Sequence, residues 1–355
     1  MSQKLNSDIL SGFSCPIPKS DYANVLLAHG SGGKLTNQLV EKMFVPQFKN
    51  DLLDQLHDGA VFAIGGQKFA FSTDSFVVDP IFFPGGDIGE LSVNGTVNDL
   101  AMCGSKPLYL SAAFIIEEGL PIDDLWKIVL SMRAAAEKAG VLLVTGDTKV
   151  VDRGKGDKIF INTSGIGIVP EDVDIGPKRV KVGDRIIVNG DIARHGIAIL
   201  SVRNGLEFET EITSDTAPLN GLVADILKVS KNVHVLRDPT RGGVATILNE
   251  IAGQSHLGIV LDEEKIPVAD AVRSACEILG LDPLYVANEG KLLAFVPPTD
   301  ADKVLAVMRN HPLGKGSEII GDVVAQHIGT VVMNSKIGGA RVVDMLSGEQ
   351  LPRIC

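Results

Sequence analysis

Strand-like and helix-like segments alternate twice along this chain, and residues 170–184, a stretch of proline, glycine and charge, separate the two runs. That order points to an α/β fold, because each apolar strand must be covered by a helix or a second sheet. Before the break, residues 34–48 carry Leu35, Leu39, Met43 and Phe44 at helical spacing. Residues 60–64 and 68–72 read as strands joined by Gly65-Gly66-Gln67, a hairpin signal. Asp87-x-x-Glu90 starts a helix that runs to Gly104, and a second helix over 123–139 stops at Gly140. Strands are expected over 108–117, 141–145 and 158–169. After the break come strands over 185–189, 258–261, 283–287, 292–296, 319–324 and 330–333. The helices of this half are expected over 219–230, 241–252 and 301–308. From Asn334 the chain turns glycine-rich and polar. The expected domains are an arm over 1–24, an α/β domain over 25–170, a second over 171–335 and a flexible tail over 336–355.

The 355 residues suit two domains, and 45% hydrophobic content supplies their cores. A net charge of −11 argues against a nucleic-acid reader, which would show a basic stripe. No run approaches the ~20 apolar residues of a membrane span, and no charged-then-apolar leader opens the chain. Cys15, Cys103, Cys276 and Cys355 show no CxxC spacing, which disfavours a zinc site or disulfide framework and suits a reducing cytoplasm. The seven histidines do not space as metal ligands and read mostly as surface or loop residues.

Several segments carry chemistry. His29-Gly30-Ser31-Gly32-Gly33-Lys34 precedes the first helix, where glycine-rich backbone can offer N–H groups to an anion; a plain turn fits equally well. Asp58, Asp74 and Asp147 flank strands, and Asp99 lies in a helix. Gathered together, such carboxylates hold Mg²⁺; apart, they are caps and solvated charges. Arg237-Asp238-Pro239-Thr240-Arg241-Gly242-Gly243 opens a helix, with Asp238 or Thr240 as a possible cap and Arg241 as a phosphate clamp. Glu289, in Ala287-Asn288-Glu289-Gly290, is a turn residue or a general base. The chain ends in a thiol, Cys355, a candidate carrier arm or an accident of composition.

Taken as a set, these segments resemble the family of ATP-dependent synthetases typified by aminoimidazole ribonucleotide synthetase (PurM-like), from about Val25 to the end of the chain. Pro352-Arg353-Ile354-Cys355 is similar to the ending of one branch, which serves hydrogenase maturation. The resemblance implies a two-domain PurM-like fold in which the N-terminal domains of a homodimer share a β-barrel. It implies ATP and Mg²⁺ in the cleft, with Asp58, Asp74, Asp99 and Asp147 as metal ligands. The implied ATP-binding set is Gly30, Gly32, Gly33, Lys34, Asp74, Asn98, Gly146, Asp147, Asp238 and Arg241. The implied reaction is ATP-dependent dehydration of an S-carbamoyl group on Cys355 to an S-cyano group, with Lys149 steadying charge and Glu289 as base. The carbamoyltransferase HypF would load the tail, and a HypC–HypD scaffold would take the cyanide toward the [NiFe] centre. Gly338-Gly339 and Ser347-Gly348 would be hinges, and Pro352 would stiffen the last reach. Rival readings are a thiamine-phosphate kinase or selenophosphate synthetase of the same fold, or a non-catalytic thiol carrier. Neither enzyme needs a terminal thiol, and a carrier would not turn over ATP.

Overall fold

The computed structural model describes residues 22–206, 211–348 and 353–355. Most of the expected N-terminal arm, with Cys15, and Pro352 of the tail lie outside the described residues. The first helix comes in three contiguous pieces: α1 (Lys34–Leu39), a π-helical turn (Val40–Phe44) and α2 (Val45–Phe48). Pro46 accounts for the irregularity, since it removes one N–H and crowds the carbonyl four residues before it.

Five strands follow in the first half: β1 (Ala60–Ile64), β2 (Gln67–Phe76), then, after the small ribbon β3 (Phe82–Phe83) and β4 (Gly86–Asp87), β5 (Lys106–Glu117), β6 (Leu142–Val151) and β7 (Ile159–Val169). They form a sheet of order β1-β2-β7-β5-β6, in which β5 and β6 are parallel and the other pairs antiparallel. Helix α3 (Ile88–Met102) is capped by Asp87, whose carboxylate accepts from the N–H groups of Gly89 (2.7 Å) and Glu90 (3.2 Å). It packs against β2, β7 and β5, with α4 (Ile122–Ala139) beside it. Among the described residues, only one face of the sheet is covered. Phe71, Tyr109 and Ile115 stand exposed on the other, as do Leu142 and Val144 along the edge strand β6.

The second half is a seven-stranded sheet of order β14-β13-β10-β12-β8-β11-β9. Its elements are β8 (Arg185–Val188), α5 (Arg194–Arg203), α6 (Asn220–Val229), β9 (Val235–Arg237), α7 (Gly243–Ser255), β10 (Gly258–Asp262), α8 (Asp270–Leu279), β11 (Leu293–Val296), α9 (Pro298–Asn310), β12 (Glu318–Val324), β13 (Val331–Asn334) and β14 (Ala340–Val343). Strand β11 is buried along its whole length, and α3 reaches across to contact α6 and β9, joining the halves.

Four expectations need correction. Residues 283–287 are not a strand: Pro283–Tyr285 is a short 3₁₀ turn, held by the Asp282 carboxylate accepting from Leu284 N–H (3.0 Å). Strands β2 and β6 run further than their apolar cores, so Asp74, Asp147 and Lys149 lie within strands and not after them. Elements α5, α8 and β9 went unread. The chain beyond Asn334 is not free, because β14 pairs antiparallel with β13, Val331 opposite Val343, across a turn at Gly338-Gly339.

Phe295, fully buried in β11, tests this core. Phe295→Ala should cost about 3–5 kcal/mol in urea unfolding; a loss below about 1 kcal/mol would mean the packing described here is wrong.

Candidate active site

Five carboxylates from separate elements converge where the two halves meet. Asp58 precedes β1, Asp74 is on the covered face of β2, Asp99 is in α3, Asp238 follows β9 and Glu289 precedes β11. Arg237 sits among them, with Nε 2.7 Å from Asp58 Oδ1 and Nη2 2.9 Å from Glu250 Oε2. The Ser72 hydroxyl lies 2.7 Å from Asp99 Oδ2 and 2.9 Å from the Asp58 carbonyl. Burial opposes the charge on Arg237, but Asp58, Glu250 and Asp238 hold it protonated above its usual range.

The negative charge exceeds what the arginines offset. Burial, reinforced by neighbouring carboxylates, pushes Asp58, Asp99 and Glu289 well above the ordinary carboxylate range. Asp74 is raised by burial against the pull of Arg241, and Asp238 is pushed up to about 6 by burial. Asp58 Oδ2 and Glu289 Oε1 are buried without a hydrogen-bond partner among the described residues. Orphaned buried acceptors of this kind are costly unless a cation or donor joins them.

Asp147 and Lys149 do not belong to this cluster within one chain. Asp74 aligns with Thr163 of β7, which aligns with Ala112 of β5 and Gly146 of β6. Asp147 is one residue on, opposite Ala113 and Asn162, so it points to the other face of the sheet. Three strand spacings also separate it from Asp74, roughly 14 Å. It is exposed and ion-paired with Lys149 at 2.5 Å, a contact that lowers its pKa. Gly146 meets a packing need: a Cβ there would lie 2.3 Å from the Ala112 carbonyl oxygen. Among the described residues no three Asp, Glu, His or Cys side chains converge tightly enough to hold a metal by themselves. The expected four-aspartate centre is therefore not built by one chain.

Instead, the end of the chain lies in the cleft. Val77 N–H donates to a carboxylate oxygen of Cys355 (2.9 Å) and Asp79 N–H to the Arg353 carbonyl (3.4 Å). Arg353 Nε returns a bond to the Val77 carbonyl (3.1 Å), and its guanidinium pairs with Asp157. Cys355 is buried, and its thiol interacts with Arg241, Glu289, Asp74 and Asp238. Burial drives that thiol's pKa up, offset in part by Arg241. Arg241 is held protonated first by Cys355, then, against burial, by Asp74, Glu289 and Asp99. Thus Cys355, Glu289, Asp74, Asp238 and Arg241, all singled out in the sequence, are brought together.

Other candidates have different occupations. The glycine-rich loop is not an open anion cradle. A Cβ on Gly32 would lie 2.6 Å from the Arg241 carbonyl oxygen, and one on Gly33 2.5 Å from that of Leu346. Lys34 N–H donates to the Leu346 carbonyl (2.9 Å), Ser31 Oγ to that of Gly348 (3.3 Å), and Arg241 Nη1 to that of Gly30 (3.2 Å). The loop clasps the returning tail. Asn98 is likewise engaged: its amide donates to the Ala217 (3.1 Å) and Glu289 (3.2 Å) carbonyls, and its oxygen accepts from Leu219 N–H (2.8 Å). It holds the Glu289 backbone. Neither Asp238 nor Thr240 caps α7, whose cap position is Gly242.

Sequence reasoning missed Arg237 as an ion-pair centre, the buried Asp215–Lys291 pair (3.2 Å) that receives Glu289 N–H, and two histidines. Lys291, two residues after Glu289, had a local signal; Asp215 had none. His57 and His195 are buried and not surface residues, as are His29 and His234, and burial lowers the pKa values of the first two, that of His57 to about 3. Beside the cluster opens a cavity of about 740 Å³, bounded by Leu52, Leu56, Phe71 and Met345 and reaching Asp58, Thr73 and Glu250. Its size is ordinary for a small-molecule site.

Residues 56–169 match the N-terminal domain of the AIR synthase related protein family, and residues 181–334 match its C-terminal domain. Carbamoyl dehydratase HypE of Cupriavidus necator is 57% identical over 330 residues, 93% of this chain and 94% of that one. The chain belongs to the AIR synthase related family, in its HypE branch. Solved HypE structures share the fold. One in a HypE–HypF complex superposes with a TM-score of 0.83 at 49% identity, covering 87% of this chain and 99% of that chain. One in complex with ATP gives 0.79 at 50% identity, covering 94% and 100%. Helices long and apolar enough to cross a membrane are absent among the described residues.

The carboxylate excess has a pH signature that Asp238 isolates. Its folded pKa, about 6, lies above the unfolded value, so ionising it on raising the pH removes stability. Metal-free Asp238→Asn should match wild type near about pH 4 and become the more stable protein above about pH 6 in denaturant titrations. A difference independent of pH would contradict the buried carboxylate excess.

Proposed function

We propose that this HypE-branch chain dehydrates an S-carbamoyl group on its own Cys355 to an S-cyano group, at the expense of ATP. The observation that carries the reading is the docking of the Cys355 thiol beside Glu289 and Arg241, at the edge of a carboxylate basin. In the loaded tail, R–S–C(=O)–NH₂, the oxygen is a very poor leaving group. Its attack on the γ-phosphorus forms an O–P bond as the bond to ADP breaks, and one N–H proton leaves. The resulting R–S–C(=NH)–OPO₃ then loses phosphate and its second N–H proton to give R–S–C≡N. Glu289 is the base for the second proton; its raised pKa suits that task once ionised. Arg241 offsets charge on the transferring phosphoryl group, and the cavity beside Asp58 is the proposed nucleotide pocket.

Mg²⁺ fits this basin, because it is commonly held by one or two carboxylates together with substrate phosphates and needs no preformed three-ligand cage. Asp58, Asp74 and Asp99 would hold it, and when bound it would neutralise phosphate charge. Burial of the closed tail also favours a cycle in which HypF loads the thiol before docking and a HypC–HypD scaffold receives cyanide after release. The half-covered sheet supports the homodimer: joining two such faces would bury Phe71, Tyr109 and Ile115 in a shared barrel. It would also carry Asp147 and Lys149 to the partner's side.

Mass spectrometry of the C-terminal peptide, after loading by a carbamoyl donor system, tests the reaction. Loss of one water from carbamoylated Cys355 only with Mg-ATP is expected. A carbamoyl group that persists would overturn the dehydratase reading. Wild-type dehydration should accelerate as pH rises through an apparent pKa above the ordinary carboxylate range, and Glu289→Gln should be slow and lose that limb. For the homodimer, co-expressed Cys355→Ala and Lys149→Ala chains should regain activity that neither has alone. No recovery in verified heterodimers would place Lys149 on its own chain's tail, or outside the reaction.

A further inference from the structure

The buried imidazole of His195 is not needed by the chemistry above, yet it touches the carrier tail directly. It lies in the first turn of α5 with its ring edge-on to Phe83, centroids 5.5 Å apart. Nε2 is 2.7 Å from the Ile354 carbonyl oxygen, the peptide next to the thiol residue, and Nδ1 is 2.8 Å from Ser214 Oγ. A carbonyl oxygen only accepts, so Nε2 carries the proton. Complete burial lowers the ring's pKa, so it is neutral and Nδ1 accepts from the Ser214 hydroxyl. That hydroxyl in turn accepts from Thr216 N–H (3.1 Å). The result is a one-way chain of donors from Thr216 through Ser214 and His195 to the tail.

The same loop also sets Glu289. Asp215, next to Ser214, accepts from Glu289 N–H (3.2 Å) and pairs with Lys291. Ala217, two residues further, is tied to Asn98, which also holds the Glu289 carbonyl. One short segment thus fixes the base from one side and the carrier's backbone from the other. Arg203, in the last turn of α5, bonds the carbonyls of Asp79 and Arg353, so a single helix contacts two consecutive tail carbonyls.

We propose that His195, oriented by Ser214, is a positioning residue that fixes the loaded Cys355 against Glu289 by gripping the Ile354 carbonyl. The proposal rests on the dehydratase reading for its rate effect, but not for its effect on docking.

The test uses the full-length chain and two readouts. The first is iodoacetamide alkylation of Cys355, resolved by peptide mass spectrometry; the second is single-turnover dehydration of the carbamoylated tail. Loss of one buried hydrogen bond corresponds to about tenfold in docking. His195→Phe should therefore alkylate faster at Cys355 and dehydrate more slowly, the two fold-changes multiplying to about ten because docked and undocked fractions trade against each other, with Mg-ATP affinity near wild type. His195→Gln, which keeps an N–H donor, should recover most of both. Wild-type rates of alkylation and dehydration in a folded His195→Phe would overturn the proposal, as would failure of Gln to recover either. Should the Phe variant not fold, Ser214→Ala is expected to speed alkylation and slow dehydration with a combined change of about threefold, and no shift there is equally decisive. If wild type itself forms no S-cyano product, the dehydratase reading fails while alkylation still judges the grip.

Discussion

Five carboxylates face two arginines in the cleft, and the other features of the site answer that imbalance. Arg237 is locked between Asp58 and Glu250, so Arg241 is the arginine turned toward the tail thiol. A buried basin of this kind destabilises the fold unless protons, a divalent cation or further cationic groups join it. It is the setting into which the proposed Mg²⁺ would fit. The orphaned oxygens of Asp58 and Glu289 are the local expression of that cost. Strained or unsatisfied groups collect where function requires them, while the surrounding core, Phe295 and Leu100 among it, supplies stability.

The sheet of the first half has a division of labour between its faces. The covered face carries Asp74 against α3; the open face carries Thr73, Asn162, Asp147 and Lys149. A strand alternates its side chains strictly, so Asp74 and Asp147 can never meet on one side of their own sheet. In the proposed homodimer a second copy of the chain would bring them together, and the edge of β6, unpaired among the described residues, carries the exposed Leu142, Val144 and Val150.

The two α/β halves, the break between them and most helices were legible because helical and strand periods differ and persist over many residues. Asp58, Asp74 and Asp99 were legible as a group, with Asp147 counted among them, from their places at strand ends and in a polar helical segment, while Asp238 and Glu289 stood out only in separate turn segments. The side on which Asp147 falls was not, since it depends on register summed across three strand pairs and on a bulge between Leu110 and Ser111. His195 and Asp215 carried no local signal; their importance arises from contacts with residues far along the chain. β14 was masked by Gly338-Gly339, which read as a hinge although the pair makes a hairpin turn, while the β-branched Val342 and Val343 behind it pointed to a strand.

Because β14 fastens the chain to the second sheet at Val343, the thiol of Cys355 lies twelve residues beyond that anchor. Fully drawn out, those residues sweep a radius of about 40 Å around that point. If Leu346 stays under the glycine-rich loop, nine residues remain and the radius shrinks to roughly 30 Å. On the proposed reaction, any donor or acceptor of the carried group would have to open its own active site within that sphere. The short pairing of β13 with β14 sets the outer limit on where such a partner can stand.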